Sequence, residues 1–167
     1  MKASPVLPAS SFAAWQKLSG EELYAHYLYL HIANKLQAAG YFGAQKFFES
    51  ESAGELTHYL KIRDFVNDMG GVLGSINTYQ ISDDVAGIDD ALNVFYSTEL
   101  ALLQKYHEAY KQLDQSPDED CISEPLMLEF IRIQTKGVGE AGDLLKRFEI
   151  AKASGEILLF DQELAGK

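Results

Sequence analysis

The four residues Glu55-Leu56-Thr57-His58 place a carboxylate and an imidazole three positions apart. On a helix, side chains at positions i and i+3 lie on one face, so both groups can bind the same metal ion. A Glu-x-x-His turn is a known way for a helical bundle to hold a metal ion in its core. Symmetric bundles with two metals use the motif twice, whereas this chain contains it once. The motif therefore predicts a metal site on a helix.

Five helical segments are predicted from the spacing of apolar residues and from the turn formers between them. The first is expected to run from Ser10 or Ser11, either of which can cap it, to Ala39, where Gly40 ends it. The others are expected over 42–69, 88–114, 122–153 and 156–164. The prolines lie at 5, 8, 117 and 125, so none interrupts the first three helices. The sequence therefore predicts an all-α bundle of four long helices and a short fifth helix.

The segment between the second and third helices, Gly70 to Gly87, contains turn formers but no helical period. The first two helices are joined by a few residues, so they must form an antiparallel pair. A helix of about 27 residues is about 40 Å long, and about 17 extended residues reach roughly 55 Å. The segment can therefore cross the whole bundle, and the third helix can begin at the opposite end.

Acidic residues lie near the midpoints of three predicted helices. Glu22 lies within a turn of the first midpoint and Glu99 is close to the third. Glu55 and His58 lie on either side of the second. Mid-helix residues of an antiparallel bundle share one layer, so these four side chains can converge. A buried glutamate is rare unless it is paired or bound to metal. Carboxylates with one imidazole suit iron or manganese better than structural zinc, which favours Cys and His.

The composition is that of one soluble globular domain. The 25 acidic and 14 basic residues give a net charge of −11, which argues against a nucleic-acid or anionic-membrane partner. Cys121 is the single cysteine, so no disulfide can form within the chain. Met1 to Gln16 is not a convincing signal peptide, and no apolar run reaches about 18 residues. A cytoplasmic location is expected by default.

Five segments carry a family resemblance, in order over most of the chain. They are Glu22-Leu23-Tyr24 through Tyr29, Phe47-Phe48 through Glu55-x-x-His58, Gly70 through Ile76-Asn77-Thr78, Glu99, and Gly155-Glu156 through Leu164. From about Leu18 to Leu164 the chain resembles a bacterial-type, non-haem ferritin. The single Glu-x-x-His also resembles ferritins rather than bacterioferritins or rubrerythrin-like proteins, which carry two. The resemblance implies a ferritin-like four-helix bundle over 11–167, after a flexible extension over 1–10.

The resemblance also implies a ferroxidase centre that binds two irons and no haem. Glu22 and His58 would bind one iron, Glu55 would bridge the two, and the second iron would be bound by Glu99. Tyr29 matches the tyrosine that ferritins keep beside this centre as an electron donor. The implied function is iron storage, in which Fe(II) is oxidised with O2 or H2O2 and ferric mineral is held in a homo-oligomeric cage of 24 subunits.

The fourth helix departs from the family pattern. Ferritins usually supply a cluster of Glu or Gln from this helix, but glycines, Val138 and Ala141 stand about where those ligands are expected. Gln134 and Glu140 remain as partial substitutes. The three glycines of the stretch Gly137–Gly142 cost roughly 1 kcal/mol each relative to alanine in a helix. We therefore expect an intact first iron position, a weakened second one and little or no third site.

Three other functions remain open on the sequence alone. One is a shell subunit that nucleates mineral with little ferroxidase activity, and another is a di-iron oxidase of the same fold that does not store iron. A plain helical interaction protein would leave the coincident mid-bundle acids unexplained. Four acids near the start of the fourth helix could line the threefold pores of a cage or could be solvated turn residues: Glu119, Asp120, Glu124 and Glu129.

Overall fold

The computed structural model describes residues 6–75, 81, 85–114 and 120–167. These residues form five α-helices and no strand: α1 (Ala9–Ala38), α2 (Phe42–Asp68), α3 (Ile88–Asp114), α4 (Glu124–Ser154) and α5 (Ile157–Leu164). Each predicted helix end lies within two residues of the observed one, so the predicted all-α fold is confirmed. The crossover residues Ile76-Asn77-Thr78, the turn residues 115–119 and the pore candidate Glu119 lie outside the described residues.

The start of α1 differs from the prediction. The helix begins at Ala9, directly after Pro8, and no side chain caps its first turn, so the predicted cap at Ser10 or Ser11 is wrong. Pro8 has φ of −54°, which suits a helix start, and both serines therefore lie inside the first turn. The backbone N–H of Val6 donates to the carbonyl of Met69 at 2.9 Å. The chain before α1 is thereby attached to the end of α2.

The contacts between helices fix their directions. Because only residues 39–41 join α1 to α2, these two helices are antiparallel. Tyr29, late in α1, contacts Glu99 in the first half of α3, and Glu22 contacts Tyr106 further along α3. Helix α3 is therefore antiparallel to α1 and runs in the same direction as α2. Two consecutive helices that run in the same direction need a connection along the bundle, which is the predicted crossover between α2 and α3.

The apolar core consists of two clusters. Among the described residues, one cluster includes Tyr29, Phe48 and Phe95, and the other includes Trp15 and Phe130. On each long helix the boundary between the clusters falls in the middle. The mid-helix acidic residues occupy this boundary, so the polar layer of the protein lies between two apolar layers.

The glycine-rich stretch Gly137–Gly142 lies within α4, which is helical from Glu124 to Ser154. The glycines therefore do not break the helix. The helix ends at Gly155, which adopts φ of +77°, a left-handed conformation that glycine tolerates and other residues avoid.

Helix α5 packs against the beginning of α2 through one buried acid. The carboxylate of Asp161 accepts hydrogen bonds from the backbone N–H groups of Gly43 at 3.1 Å and Ala44 at 2.8 Å. It therefore satisfies two N–H groups that the first turn of a helix leaves unpaired. A Cβ atom at Gly43 would lie 1.7 Å from the carbonyl oxygen of Asp161, so only glycine permits this approach.

Candidate metal centre

Three side chains from α1 and α2 converge in the polar layer. The Nδ1 atom of His58 lies 3.2 Å from Oε2 of Glu22 and 3.1 Å from Oε2 of Glu55. Donor atoms of the three residues all lie within 4.8 Å of one another, a spacing at which they can hold one ion. Glu22 and Glu55 are buried, with 0% and 4% of their surface exposed, and His58 is partly buried. Two carboxylates inside a core require a cation or protons.

The pKa values of these groups reflect that requirement. Burial, together with the neighbouring Glu22, raises the pKa of Glu55 to about 8. Burial alone would lower the pKa of His58, but hydrogen bonds to Glu22 and Glu55 raise it to about 10. In the absence of an ion the imidazolium therefore balances the negative charge. A divalent cation can replace that proton, and two carboxylates with one imidazole are a donor set that suits iron or manganese.

Glu99, from α3, lies outside this group of three. Its Oε1 atom accepts a hydrogen bond from the phenol of Tyr29, and both residues are buried. Burial, together with the charge of Glu55, raises the pKa of Glu99 to about 8. Glu99 is thus electrostatically coupled to the group without belonging to it.

Gly137 provides the space in which Glu99 lies. A Cβ atom at position 137 would be 2.5 Å from Oε2 of Glu99, closer than nonbonded atoms can approach. A Cβ at Gly139 would meet nothing within 4 Å among the described residues, and one at Gly142 would make an ordinary 3.6 Å contact with Tyr96. Of these three glycines of α4, Gly137 is therefore the one whose missing side chain shapes the site.

Gln134 lies one turn before Gly137 and is almost completely buried, with 1% of its surface exposed. Neither its Oε1 nor its Nε2 atom has a hydrogen-bond partner among the described residues. Phe130, one turn earlier on the same face, contacts the ring of His58 with 5.7 Å between centroids. Gln134 thus lies on the helix face between Phe130, which contacts His58, and Gly137, which adjoins Glu99. A buried amide at this position, without a partner among the described residues, fits a group that binds an ion or an ion-bound water.

Glu140, the other partial substitute on α4, is not brought into the group. Its side chain is 61% exposed, and it forms an ion pair with Lys136 at 3.6 Å. Its exposure is a consequence of helical spacing, because Gln134 is buried on the inward face of α4 and Glu140 lies six residues further along the helix.

Two neighbours of the site were not predicted from the sequence. Tyr106, fully buried, donates a hydrogen bond to Oε1 of Glu22. Burial and the charge of Glu22 raise the pKa of this phenol well above its usual range, so it keeps its proton. Glu51 has its pKa raised to about 7 by burial and by the charges of Glu55 and Glu140. Helical spacing in the sequence could have identified both residues, because Tyr106 follows Glu99 by seven positions and Glu51 precedes Glu55 by four.

The acids near the start of α4 have partners within the chain. Asp120 accepts hydrogen bonds from the N–H groups of Ile122 and Ser123 at 3.1 and 3.0 Å, and Glu129 forms an ion pair with Lys61. Asp120 therefore has a local structural role.

Comparisons with known proteins identify the family. The family model of the ferritin-like domain matches residues 13–151. The chain belongs to the ferritin family, as the sequence resemblance predicted.

Solved ferritin structures have the same fold as this chain. The open-pore ferritin of the hyperthermophilic archaeon Archaeoglobus fulgidus has a TM-score of 0.90 and 21% identity, over 98% of this chain and 99% of that one. Two further structures each have a TM-score of 0.90 and 20% identity, over 96% of this chain and 98% of theirs. One is a closed form of the same ferritin, engineered by site-directed mutagenesis, and the other is a humanized archaeal ferritin. No curated protein matches the sequence. None of the helices in the described part of the chain is long and apolar enough to span a membrane.

Proposed function

We propose that the chain is an iron-storage ferritin subunit that oxidises Fe(II) with O2 or H2O2 and holds the ferric product in a protein cage. The observation that supports this function best is the convergence of Glu22, Glu55 and His58 inside a ferritin-like bundle. Buried carboxylates destabilise a fold unless a cation compensates them. A cationic substrate is therefore the simplest reason to keep these groups in the core.

The proposed centre has two unequal positions for Fe(II). The first lies between Glu22, Glu55 and His58, whose donor atoms are already grouped. The second would be bound by Glu99 and would use Glu55 as a bridge. Gln134, without a partner among the described residues, would support this second ion directly or through water. Because α4 contributes an amide and no carboxylate here, we expect the second position to bind Fe(II) more weakly than the first.

The residues around the centre supply protons and an electron. Two Fe(II) ions reduce one O2 to H2O2 with the uptake of two protons. Binding of Fe(II) displaces protons from the carboxylates and His58, which leaves them available to the reduced oxygen. Reduction beyond H2O2 needs further electrons, and Tyr29, which is hydrogen-bonded to Glu99, would supply one of them. The surrounding aromatic side chains, such as Phe48 and Phe95, keep bulk water away from this phenol.

An anaerobic Fe(II) titration followed by stopped-flow mixing with O2 tests this function. We expect a fast oxidation phase that saturates between one and two irons per subunit. His58→Ala should abolish the fast phase, whereas His107→Ala, an exposed histidine of α3, should leave it unchanged. A fast phase that survives in the His58 variant would exclude the proposed centre. Saturation at two irons with equal affinities would exclude the weaker second position.

The proposed assembly is a homo-oligomeric cage of 24 subunits in the cytoplasm, which takes part in iron homeostasis. The net charge of −11 would attract Fe(II) to such a cage. Measurement of the mass in solution tests the cage, because a monomer or dimer would favour a di-iron oxidase that does not store iron.

One observation favours the second candidate, a shell subunit with little ferroxidase activity. Glu99 stands outside the group of three ligands, so one strong position is assembled rather than two. Substitution of Glu55 by Gln discriminates between the two candidates. A storage-only subunit would lose little oxidation rate, whereas a ferroxidase would lose most of it. Glu108→Gln, at an exposed position of α3, serves as the matched control.

A further inference from the structure

Tyr106 makes the same kind of contact on one side of the centre that Tyr29 makes on the other. Tyr29 donates its O–H to Oε1 of Glu99, and Tyr106 donates its O–H to Oε1 of Glu22. Both phenols are completely buried. Oε2 of Glu22 points towards His58, so the same carboxylate faces the ion position with one oxygen and the phenol with the other.

We propose that Tyr106 is a second electron donor to the centre, and that it serves the first iron position as Tyr29 serves the second. This inference rests on the proposed ferroxidase function. It follows from three features: direct contact with a ligand of the first position, a hydrogen bond along which the phenol proton can leave, and complete exclusion from solvent. A tyrosine can lose an electron readily only if its proton moves to a nearby base at the same time. The carboxylate of Glu22 is that base.

The ring environment of Tyr106 supports a stable oxidised form. Its ring is stacked on Phe130 with 5.1 Å between centroids and 6° between planes. Phe130 also contacts the ring of His58 and that of the fully buried Trp15, the latter with 6.1 Å between centroids. Phe130 therefore covers one face of the Tyr106 ring, and the whole residue has 0% of its surface exposed. A radical on Tyr106 is therefore shielded from solvent.

An electron from Tyr106 matters most when only the first position holds iron. Reduction of H2O2 to water needs two electrons, and one Fe(II) supplies one. In the proposed step the O–O bond breaks, Fe(II) becomes Fe(III), and Tyr106 loses one electron and its phenol proton. With one further proton from solvent, the reaction is H2O2 + Fe(II) + Tyr–OH + H⁺ giving Fe(III) + a neutral tyrosyl radical + two H2O. The weaker second position makes such singly loaded centres common.

Freeze-quench electron paramagnetic resonance tests the proposal. The full-length protein is loaded anaerobically with one Fe(II) per subunit and mixed with H2O2. We expect a tyrosyl signal that persists in Tyr29→Phe and falls at least severalfold in the Tyr29→Phe, Tyr106→Phe double variant. Tyr27→Phe, at an exposed position of α1, should leave the signal unchanged. A signal equal in Tyr29→Phe and the double variant, or no signal in Tyr29→Phe, would overturn the donor role.

A Co(II) titration separates electron donation from a purely structural role and from failure of the site. Tyr106→Phe should bind Co(II) at the first position as wild type does, because the substitution removes one hydroxyl group. If the variant loses Co(II) binding, Tyr106 positions Glu22 and the donor proposal is wrong. If wild-type protein binds neither Co(II) nor Fe(II), the proposed function itself fails. Normal binding and oxidation without a signal that depends on Tyr106 would refute only the present inference.

Discussion

The carboxylate of Glu99 lies against the backbone of Gly137, so close that a methyl group at position 137 would be 2.5 Å from Oε2. The sequence suggested that the glycines of α4 mark missing ligands. The structure gives Gly137 a definite role, since its missing side chain leaves room for the carboxylate of Glu99, the proposed ligand of the second ion. A position without a side chain can therefore contribute to a metal site.

Gly137→Ala should alter metal binding, while Gly139→Ala should not. In both variants alanine favours the helix by up to about 1 kcal/mol. At 139 the space is open, so we expect the full gain in stability and unchanged binding. At 137 the methyl group must displace Glu99 and strain its hydrogen bond to Tyr29. We therefore expect a smaller gain in stability and a severalfold lower affinity for the second Co(II) ion. Thermal unfolding and Co(II) titration measure both effects, and identical behaviour of the two variants would refute this role of Gly137.

Removal of the Gln134 amide, which has no hydrogen-bond partner in the described part of the chain, should stabilise the metal-free protein. A buried polar group without a partner costs about 1–3 kcal/mol, and methionine fills a similar volume without this penalty. We therefore expect Gln134→Met to raise the free energy of unfolding by about 1 kcal/mol and to weaken binding at the second position. Urea unfolding without metal and Co(II) titration give the two values. The exposed Gln104→Met is the control, and a destabilised Gln134 variant with normal binding would contradict the assigned role.

The metal-free protein should lose stability as the pH rises. The pKa values of Glu55 and Glu99 are raised to about 8 in the folded state from an ordinary 4.5, and that of His58 to about 10 from 6.5. Between about pH 4.5 and 10 the folded chain therefore binds more protons than the unfolded chain, so its stability falls with increasing pH. We expect a Tm several degrees lower at pH 9 than at pH 6.

A divalent ion should cancel most of this pH dependence, because it replaces the protons at the buried groups. Co(II) is therefore expected to raise the Tm more at pH 9 than at pH 6. Calorimetry of Glu99→Gln should show a shallower decline with pH, and Glu108→Gln should follow the wild type. A metal-free Tm that increases from pH 6 to pH 9 would contradict the assigned protonation states.

Gly43→Ala should detach α5 from the bundle. The added Cβ would overlap the carbonyl oxygen of Asp161, and a backbone atom cannot turn aside as a side chain can. We expect a loss of several kcal/mol in stability and fast amide hydrogen exchange across α5. Asp161→Ala removes only the two capping hydrogen bonds and should cost about 1–2 kcal/mol. If Gly43→Ala costs no more than Asp161→Ala, the close approach is not essential.

The helices and the juxtaposition of Glu55 and His58 could be predicted because local rules determine them. The spacing of apolar residues and terminal glycines such as Gly40 and Gly155 predicted the helices. The i, i+3 spacing predicted that Glu55 and His58 share one helix face. The predicted serine cap of α1 was wrong because Pro8 already starts the helix. Tyr106 and the burial of Gln134 depend on how α3 and α4 are rotated about their axes. That rotation is set by packing between helices, which no single-helix pattern contains.

The short connection between α1 and α2 has a consequence for the order in which the centre comes into being. The proposed donors of the first ion position all belong to the hairpin of α1 and α2. The outermost two, Glu22 and His58, are 36 residues apart in the sequence. Translation from the N-terminus delivers this hairpin before any residue of the crossover exists. The second position of the proposed centre would have to wait for Glu99 and then for Gly137. Under the proposed function, the nascent chain would therefore gain its first ion position before its second.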